Sequence, residues 1–336
     1  MPVDTAQADF SNALLFTTVI LYALAMLSYA CDFAFSRDRV MATASVPDLV
    51  AAGAGGPSVV LRDGGETTSI PAGKPAGDRW PSGFWLRLAF GLTCLGVTLH
   101  VLAIISRGLA EHRVPWGNMY EFIAAITCMA VLVLVAASIA YRAYYMGLFV
   151  LLPVVLGLGI DLTWIYTPAG ALVPALQSYW IAIHVTAMIV ASGLFIFGAV
   201  VTTLYLAADR SEKRLAAGKP SWSAGILEHL PRPAILDRLS YRSILFAFPV
   251  WTFGVMAGAI WADHAWGRYW GWDPKETWSF ITWVVYAMFL HARATAGWRG
   301  RRAAYVHLAG FVALLFNLVG VNLWITGLHS YAGLMS

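Results

Sequence analysis

The sequence predicts an all-α, polytopic integral membrane protein with about eight transmembrane helices and both termini outside. Of the 336 residues, 59% are hydrophobic and 12% are charged, whereas soluble domains are about 25% charged. The mean hydropathy is +0.67, and apolar runs of about eighteen or more residues recur, each long enough to cross a bilayer as a helix. Basic residues are also unevenly divided between alternate connections, which predicts the orientation.

The helices follow from the apolar runs, taken in chain order. They are predicted at about 11–35, 83–106, 118–141, 143–160, 179–207, 243–261, 275–293 and 303–325. Asp4 and Asp9 precede the first run in place of basic residues, so we expect a retained helix and no signal peptide. Residues 1–82 then comprise this helix and a flexible, Gly- and Pro-rich cytoplasmic loop over about 36–83. Residues 83–336 form the main membrane domain, with an external tryptophan-rich segment at 261–280.

The orientation depends on where the basic residues lie. One set of connections carries 18 of the 22 lysines and arginines, and the other carries only 4: Arg107, Arg113, Arg268 and Lys275. Because cytoplasmic loops are enriched in Lys and Arg, both termini and the tryptophan-rich segment are predicted outside. We therefore expect a multi-pass protein of the inner or plasma membrane whose functional site faces outward.

Charge and cysteine usage argue against several functions. The net charge of +4 reports membrane topology in such a chain and does not indicate a nucleic-acid partner. Cys31, Cys94 and Cys128 lie within apolar runs, and none belongs to a C-x-x-C pair. The pattern therefore argues against a thiol oxidoreductase and against a disulfide framework.

The predicted topology turns the histidines into a pattern of depths. His184 lies near the outer start of the fifth helix, and His329 lies just beyond the outer end of the eighth. His291 falls at the inner end of the seventh helix. Ionisable residues at membrane depth are usually paired or functional, and neutral imidazole is a good ligand for iron. His184 and His329, at one outer depth beside many aromatic rings, are the candidate metal ligands.

Six of the fifteen tryptophans fall between Trp261 and Trp283. An interfacial aromatic belt explains the isolated Trp116 and Trp180, but it explains this cluster poorly. A flat cofactor with carboxylates needs aromatic faces and nearby cations. Here the candidates for the faces are Trp266, Trp270, Trp272 and Trp278, and the candidates for the cations are Arg268 and Lys275. The letters "DPKE" also predict a helix start, with Asp273 as the N-cap and Glu276 in the first turn.

The stretch "WGRYWGWDPKETWS" closely resembles the WWD signature of the haem-handling proteins of cytochrome c biogenesis, which include CcmC, CcmF and CcsA (also called ResC). The length and helix count favour the CcsA group, since CcmC is shorter and CcmF much longer. The resemblance covers roughly Phe84 to the C-terminus. A second family segment, "RGLAEHRVPWGNMYEF", is recognised by Pro115, Asn118, Tyr120 and Glu121.

The resemblance implies an integral membrane subunit of the cytochrome c synthase, a haem lyase component that acts with a ResB-like partner. His184 and His329 would ligate the iron of transiently bound haem b, and His291 would serve haem entry from the inner side. The tryptophans, Trp266, Trp270, Trp272 and Trp278, would orient the ring. Asp273, also in the site, would order the loop or accept a hydrogen bond from an indole or a backbone N–H. The resemblance also implies C-x-x-C-H apocytochrome c and the proteins of a thiol-reducing pathway as partners.

Three other readings stay open at this point. A haem exporter that serves a separate lyase needs the same outer site. A b-type cytochrome that carries electrons needs a second histidine pair at the inner level, where His291 and His307 are available. A structural assembly subunit would use its tryptophans to dock a partner, and it would bind no haem.

Overall fold

The computed structural model describes residues 3–44, 83–172, 174–219 and 230–329. Within these ranges the chain is helical and contains no strand. Eight long helices follow one another: α1 (Thr5–Ala44), α2 (Phe84–Glu111), α3 (Met119–Tyr141), α4 (Gly147–Ile160), α5 (Tyr179–Ala216), α6 (Pro233–Trp266), α7 (Pro274–Thr295) and α8 (Arg301–Leu315). A π-helical turn, Phe316–Gly320, extends α8 into the short helix Val321–Trp324. The all-α prediction is confirmed.

By length and composition, seven helical segments are long and apolar enough to cross a membrane, and α7 is not one of them. Two of the seven are α4 with its flanking turns (Tyr144–Ile165) and α8 with its extension (Arg301–Trp324). The ends of α7 carry Lys275, Glu276 and Arg293, and Ser, Thr and Trp dilute its apolar stretch. At about 1.5 Å per residue, its 22 residues still extend about 33 Å, which matches a bilayer core. The chain is therefore a polytopic membrane protein, as predicted, and α7 is a full-length helix of its bundle.

Contacts at both ends of α7 show how it lies. Asp273, its N-cap, is bonded to His329, which lies beyond the end of α8. Arg293, near the other end of α7, forms a two-point ion pair with Asp237 in the first turns of α6, at 2.8 and 2.9 Å. Helix α7 is thus antiparallel to both α6 and α8, and the C-terminal ends of α6 and α8 meet its start.

The helices pack as two connected groups. Helix α1 packs on α2 and α4, whereas α5 packs on α6, α3 and α8, and α7 packs on α6 and α8. Small residues permit close approach between helices: a Cβ added at Gly96 would lie 2.6 Å from the Tyr22 ring, and one at Gly193 would lie 2.5 Å from Met129. Van der Waals packing of this kind is the main force between helices in lipid.

Several predicted helix boundaries were too short. Helix α1 runs from Thr5 to Ala44, not 11–35, so the first residues of the loop predicted over about 36–83 are helical. Residues 45–82 of that loop lie outside the described residues. Helix α6 begins at Pro233, ten residues before the predicted start, and ends at Trp266. The polar letters "LDRLSYR" hide this extension, because only Leu236, Leu239 and Ser240 of its first turns are buried. Trp261 and Trp266 are consequently helical, and the connection to α7 is short.

The start of α7 follows the prediction from "DPKE". Asp273 caps the helix by accepting the Lys275 N–H, and Glu276 reaches back to accept the Asp273 N–H at 3.1 Å. Pro274 occupies the first helical position, where its missing N–H has no cost. This capping box places the carboxylate of Asp273 at one fixed point beside the last residues of the described chain.

Candidate functional site

A cavity opens between α3, α5, α6, α7 and the end of α8. The space between its walls is about 1050 Å³ when the open space at its mouth is counted. Apart from histidines, its aromatic lining consists of Trp116, Phe122, Trp251, Trp261, Trp266, Tyr269 and Trp270. Both predicted iron ligands, His184 and His329, line the same space.

His184 is held by two close approaches to α6. Its Nδ1 lies 2.7 Å from the carbonyl oxygen of Gly254, and since a carbonyl can only accept, Nδ1 carries the proton. The neutral ring then has its lone pair on Nε2. A Cβ at Gly258 would lie 2.7 Å from the imidazole, so only glycine leaves room for the ring there.

His329 is held in an equivalent way by a carboxylate. Its Nδ1 lies 2.8 Å from Asp273 Oδ2, while Asp273 Oδ1 accepts the Leu328 N–H at 2.7 Å. Burial raises the pKa of Asp273, but the hydrogen bonds from His329 and Leu328 outweigh it and hold that pKa below its ordinary value. The carboxylate therefore stays ionised at neutral pH, and by accepting the Nδ1 proton of His329 it turns Nε2 of that ring away from itself.

The two histidines share one aromatic neighbour. The His184 ring stacks on Trp261 at 5.9 Å between centroids with an interplanar angle of 8°. The His329 ring meets Trp261 edge-on at 5.6 Å and Trp266 at 5.0 Å. Trp261 is fixed in turn by its indole N–H, which donates to the carbonyl of Ala175 at 3.1 Å. The fold thus unites the ends of α5, α6 and α8 around two imidazoles.

This arrangement fits an iron porphyrin. Histidines that ligate metals usually donate their other ring N–H to a carboxylate or carbonyl, and both His184 and His329 do so here. The surrounding wall is aromatic and apolar, as a porphyrin plate requires. His184 and His329 would supply axial nitrogens, and no cluster of three or more His, Cys, Asp or Glu side chains able to hold a bare metal ion occurs among the described residues.

The predicted ring-stacking tryptophans occupy different places. Trp266 and Trp270 line the cavity, whereas Trp272 and Trp278 do not. Trp272 is 65% exposed, has a left-handed backbone with φ of 58°, and contacts Trp270 at 5.7 Å. Trp278 packs instead on Phe316 of the π turn at 4.2 Å.

Three other histidines lie away from the cavity. His291 is exposed near the end of α7 that is opposite the cavity. His307 is buried between helices with its Nδ1 2.7 Å from Thr202 Oγ1. His100 is buried against Tyr22, at 3.3 Å. None of the three is among the residues lining the cavity.

Two tryptophans that were not predicted from the sequence as site residues also line the cavity. Trp116, expected in an interfacial belt, lines the cavity and donates its indole N–H to Thr186 Oγ1 at 3.2 Å. Trp251 lines its inner part and donates to the carbonyl of Ser279 at 3.2 Å. The only available signal was the position of Trp116 in the second family segment.

That second family segment is anchored by a buried ion-pair cluster. Arg113 Nη1 lies 2.9 Å from Glu121 Oε2, and Arg113 Nη2 lies 2.9 Å from Glu111 Oε2. Arg107 Nε lies 3.1 Å from Glu111 Oε1. Glu121 also accepts the N–H of Gly117 at 2.7 Å, which fixes the loop that forms one side of the cavity.

Replacing Asp273 with asparagine should weaken haem binding. An asparagine can accept from the N–H of either Leu328 or His329 but no longer carries the charge that favours the Nδ1 proton of His329. Loss of such an outer partner typically costs about 10–100-fold in metal affinity. The measurement is a haem titration followed by the Soret band. The control is Asp263→Asn, because Asp263 does not line the cavity. If the Asp273→Asn variant binds haem as tightly as wild type, Asp273 only caps α7.

The similarity of the chain to known proteins agrees with this geometry. The profile of the family described as "Cytochrome C assembly protein" matches residues 116–329, and every residue lining the cavity falls in that range. The "Cytochrome c biogenesis protein CcsA" of Guillardia theta is 35% identical over 263 residues, which is 74% of this chain and 86% of that protein. The CcsA proteins of Gloeobacter violaceus and Porphyra purpurea are 34% and 33% identical, each over 75% of this chain and over 91% and 92% of their own lengths. The chain therefore belongs to the CcsA family of cytochrome c assembly proteins and functions in cytochrome c biogenesis.

Proposed function

We propose that the cavity binds haem b between His184 and His329 and presents it for covalent attachment to a C-x-x-C-H apocytochrome c. One observation carries the proposal: two histidines from distant parts of the chain line one aromatic cavity, and each donates Nδ1–H to an oxygen. Each is thereby oriented to offer Nε2 to iron. In this role haem is the cargo and the substrate of the protein, and binding is transient.

The chemistry is the addition of a cysteine thiol across each haem vinyl group. A carbon–sulfur bond forms at one vinyl carbon, and the thiol hydrogen moves to the other, so there is no net oxidation or reduction. The contribution of this chain is to position the substrate, which can supply a large part of the rate enhancement. His184 and His329 hold the iron until the histidine of the apocytochrome displaces one of them. No side chain of this chain is assigned as a general acid or base.

In the membrane, the cavity end of the bundle faces outward and both termini lie outside. The uneven distribution of Lys and Arg supports this orientation, since cytoplasmic connections are enriched in basic residues. Arg293 and Arg301, which pair with Asp237 and Asp209, lie at the end opposite the cavity. His291 is exposed near that same end, which suits a role in haem entry from the inner side. The proposed partners of this chain are a ResB-like subunit, apocytochrome c, and proteins that keep the cysteines of the apocytochrome reduced.

The test is maturation in a host membrane that lacks its own cytochrome c synthase. The chain is co-expressed with a ResB-like partner and an apocytochrome, and covalent haem is measured by haem staining and by the pyridine haemochrome spectrum. We expect covalent cytochrome c only when both subunits are present, and a bis-histidine haem spectrum in the purified complex. Haem release without covalent attachment would favour the exporter, and a complex without haem would favour a docking subunit.

A further inference from the structure

Lys275 is the only lysine or arginine among the described residues that line the cavity. It is the second residue of α7, and its Nζ donates to the main-chain carbonyl of Asn317 in the π turn at 2.9 Å. An ammonium group has three N–H donors, so this bond leaves donor capacity for a ligand. Within the described part of the chain, Lys275 makes no ion pair within 4.0 Å.

The nearby carboxylates of Asp273 and Glu276 make no ion pair with Lys275. Asp273 accepts from His329, Leu328 and the Lys275 main-chain N–H. Glu276 turns its Oε2 to the N–H groups of Gly271 and Asp273, at 2.8 and 3.1 Å, whereas its Oε1 is buried and accepts no hydrogen bond. A positive charge on Lys275 would therefore not be matched by a contacting side chain, and it would face a largely apolar wall. A cation in such a place is costly unless it meets an anion.

Building on the proposed function, we infer that Lys275 is the positioning residue that binds one propionate carboxylate of the incoming tetrapyrrole. The ammonium and the carboxylate form a charge-assisted hydrogen bond inside the cavity, and Asn317 holds the ammonium in place through its carbonyl. This interaction selects tetrapyrroles that carry free carboxylates.

Lys275 also orients the substrate. Its contact with Asn317 places the ammonium between α7 and the π turn, at one side of the cavity. The propionates and the vinyl groups of haem b occupy opposite edges of the ring. A propionate at Lys275 consequently places the vinyl edge on the side of the cavity away from Lys275 and Asn317.

The test compares the binding of haem and of haem dimethyl ester, in which both propionates are blocked. The purified complex with the ResB-like partner is titrated with each, and binding is followed by the Soret band and by tryptophan quenching. We expect wild type to bind haem at least about tenfold more tightly than the ester, the range for a hydrogen bond to a charged group. Lys275→Met should bind the two equally, and Lys275→Arg should keep the preference.

Lys213→Met is the matched control, because Lys213 is exposed and pairs with Asp209 near the opposite end; it should keep the wild-type ratio. Equal affinities of wild type for haem and its ester would overturn the inference without any variant. So would an unchanged ratio in Lys275→Met. A wild-type complex that binds neither compound would overturn the proposed function itself, and the inference with it.

Discussion

His184→Ala and His329→Ala should each lower the amount of haem retained by the purified complex by at least about tenfold, since loss of an axial ligand exceeds the usual effect of losing an outer partner. Each substitution removes one Nε2 and leaves a space the size of an imidazole in the cavity wall. Free imidazole should fill that space and restore the bis-histidine spectrum. The measurement is the visible spectrum of each variant, with and without imidazole.

The control for both variants is His264→Ala. His264 lies on α6 near the same tryptophans, yet it is exposed and does not line the cavity, so its spectrum should match wild type. Thermal unfolding without haem separates ligand loss from misfolding. If both cavity variants keep the wild-type spectrum, the histidine pair does not ligate haem, and the aromatic wall is better explained as a protein docking surface.

Glu121→Ala should destabilise the protein by about 3–5 kcal/mol, the range for breaking a buried ion pair from one side. Glu121 is 2% exposed and is bonded to Arg113 and to the Gly117 N–H. Without it, Arg107 and Arg113 share only Glu111, and one buried positive charge loses its balance. The expected result is a large fall in the unfolding midpoint in detergent, measured by circular dichroism.

Haem binding should fall in the same variant, because the loop held by Glu121 forms one side of the cavity. Glu121→Gln should be milder, since it keeps an acceptor for Gly117 while it removes the charge. Glu212→Ala, at an exposed position of α5, is the matched control and should change the free energy of unfolding by less than about 0.5 kcal/mol. A similarly small change in Glu121→Ala would show that the cluster does not stabilise the fold.

The parts of the site that could be predicted from sequence are those with a local signature. The capping of α7 follows from four adjacent letters, and Asp273 and Glu276 take the predicted positions. His184 and His329 were paired by their depth along separate helices, and they do line one cavity. Depth can be read from sequence because a helix in a membrane rises by a constant amount per residue.

The parts that could not be predicted depend on how helices rotate and cross. Trp116 and Trp272 are both tryptophans near the predicted interface, yet the first lines the cavity and the second is exposed to 65%. Nothing local distinguishes them, because the face that a side chain presents depends on its neighbours. The same holds for Lys275, whose bond to Asn317 joins two helices.

The amino-acid sequence alone determined the all-α membrane class, the helix order, the start of α7 and the family, since apolar run length, capping residues and a long motif are all local properties. Only the tertiary structure decided that Asp273 bonds His329, that Gly254 and Gly258 receive His184, and that Lys275 faces the cavity. These contacts join residues that are far apart in the chain. They form only when packing in the membrane selects one rotation for each helix.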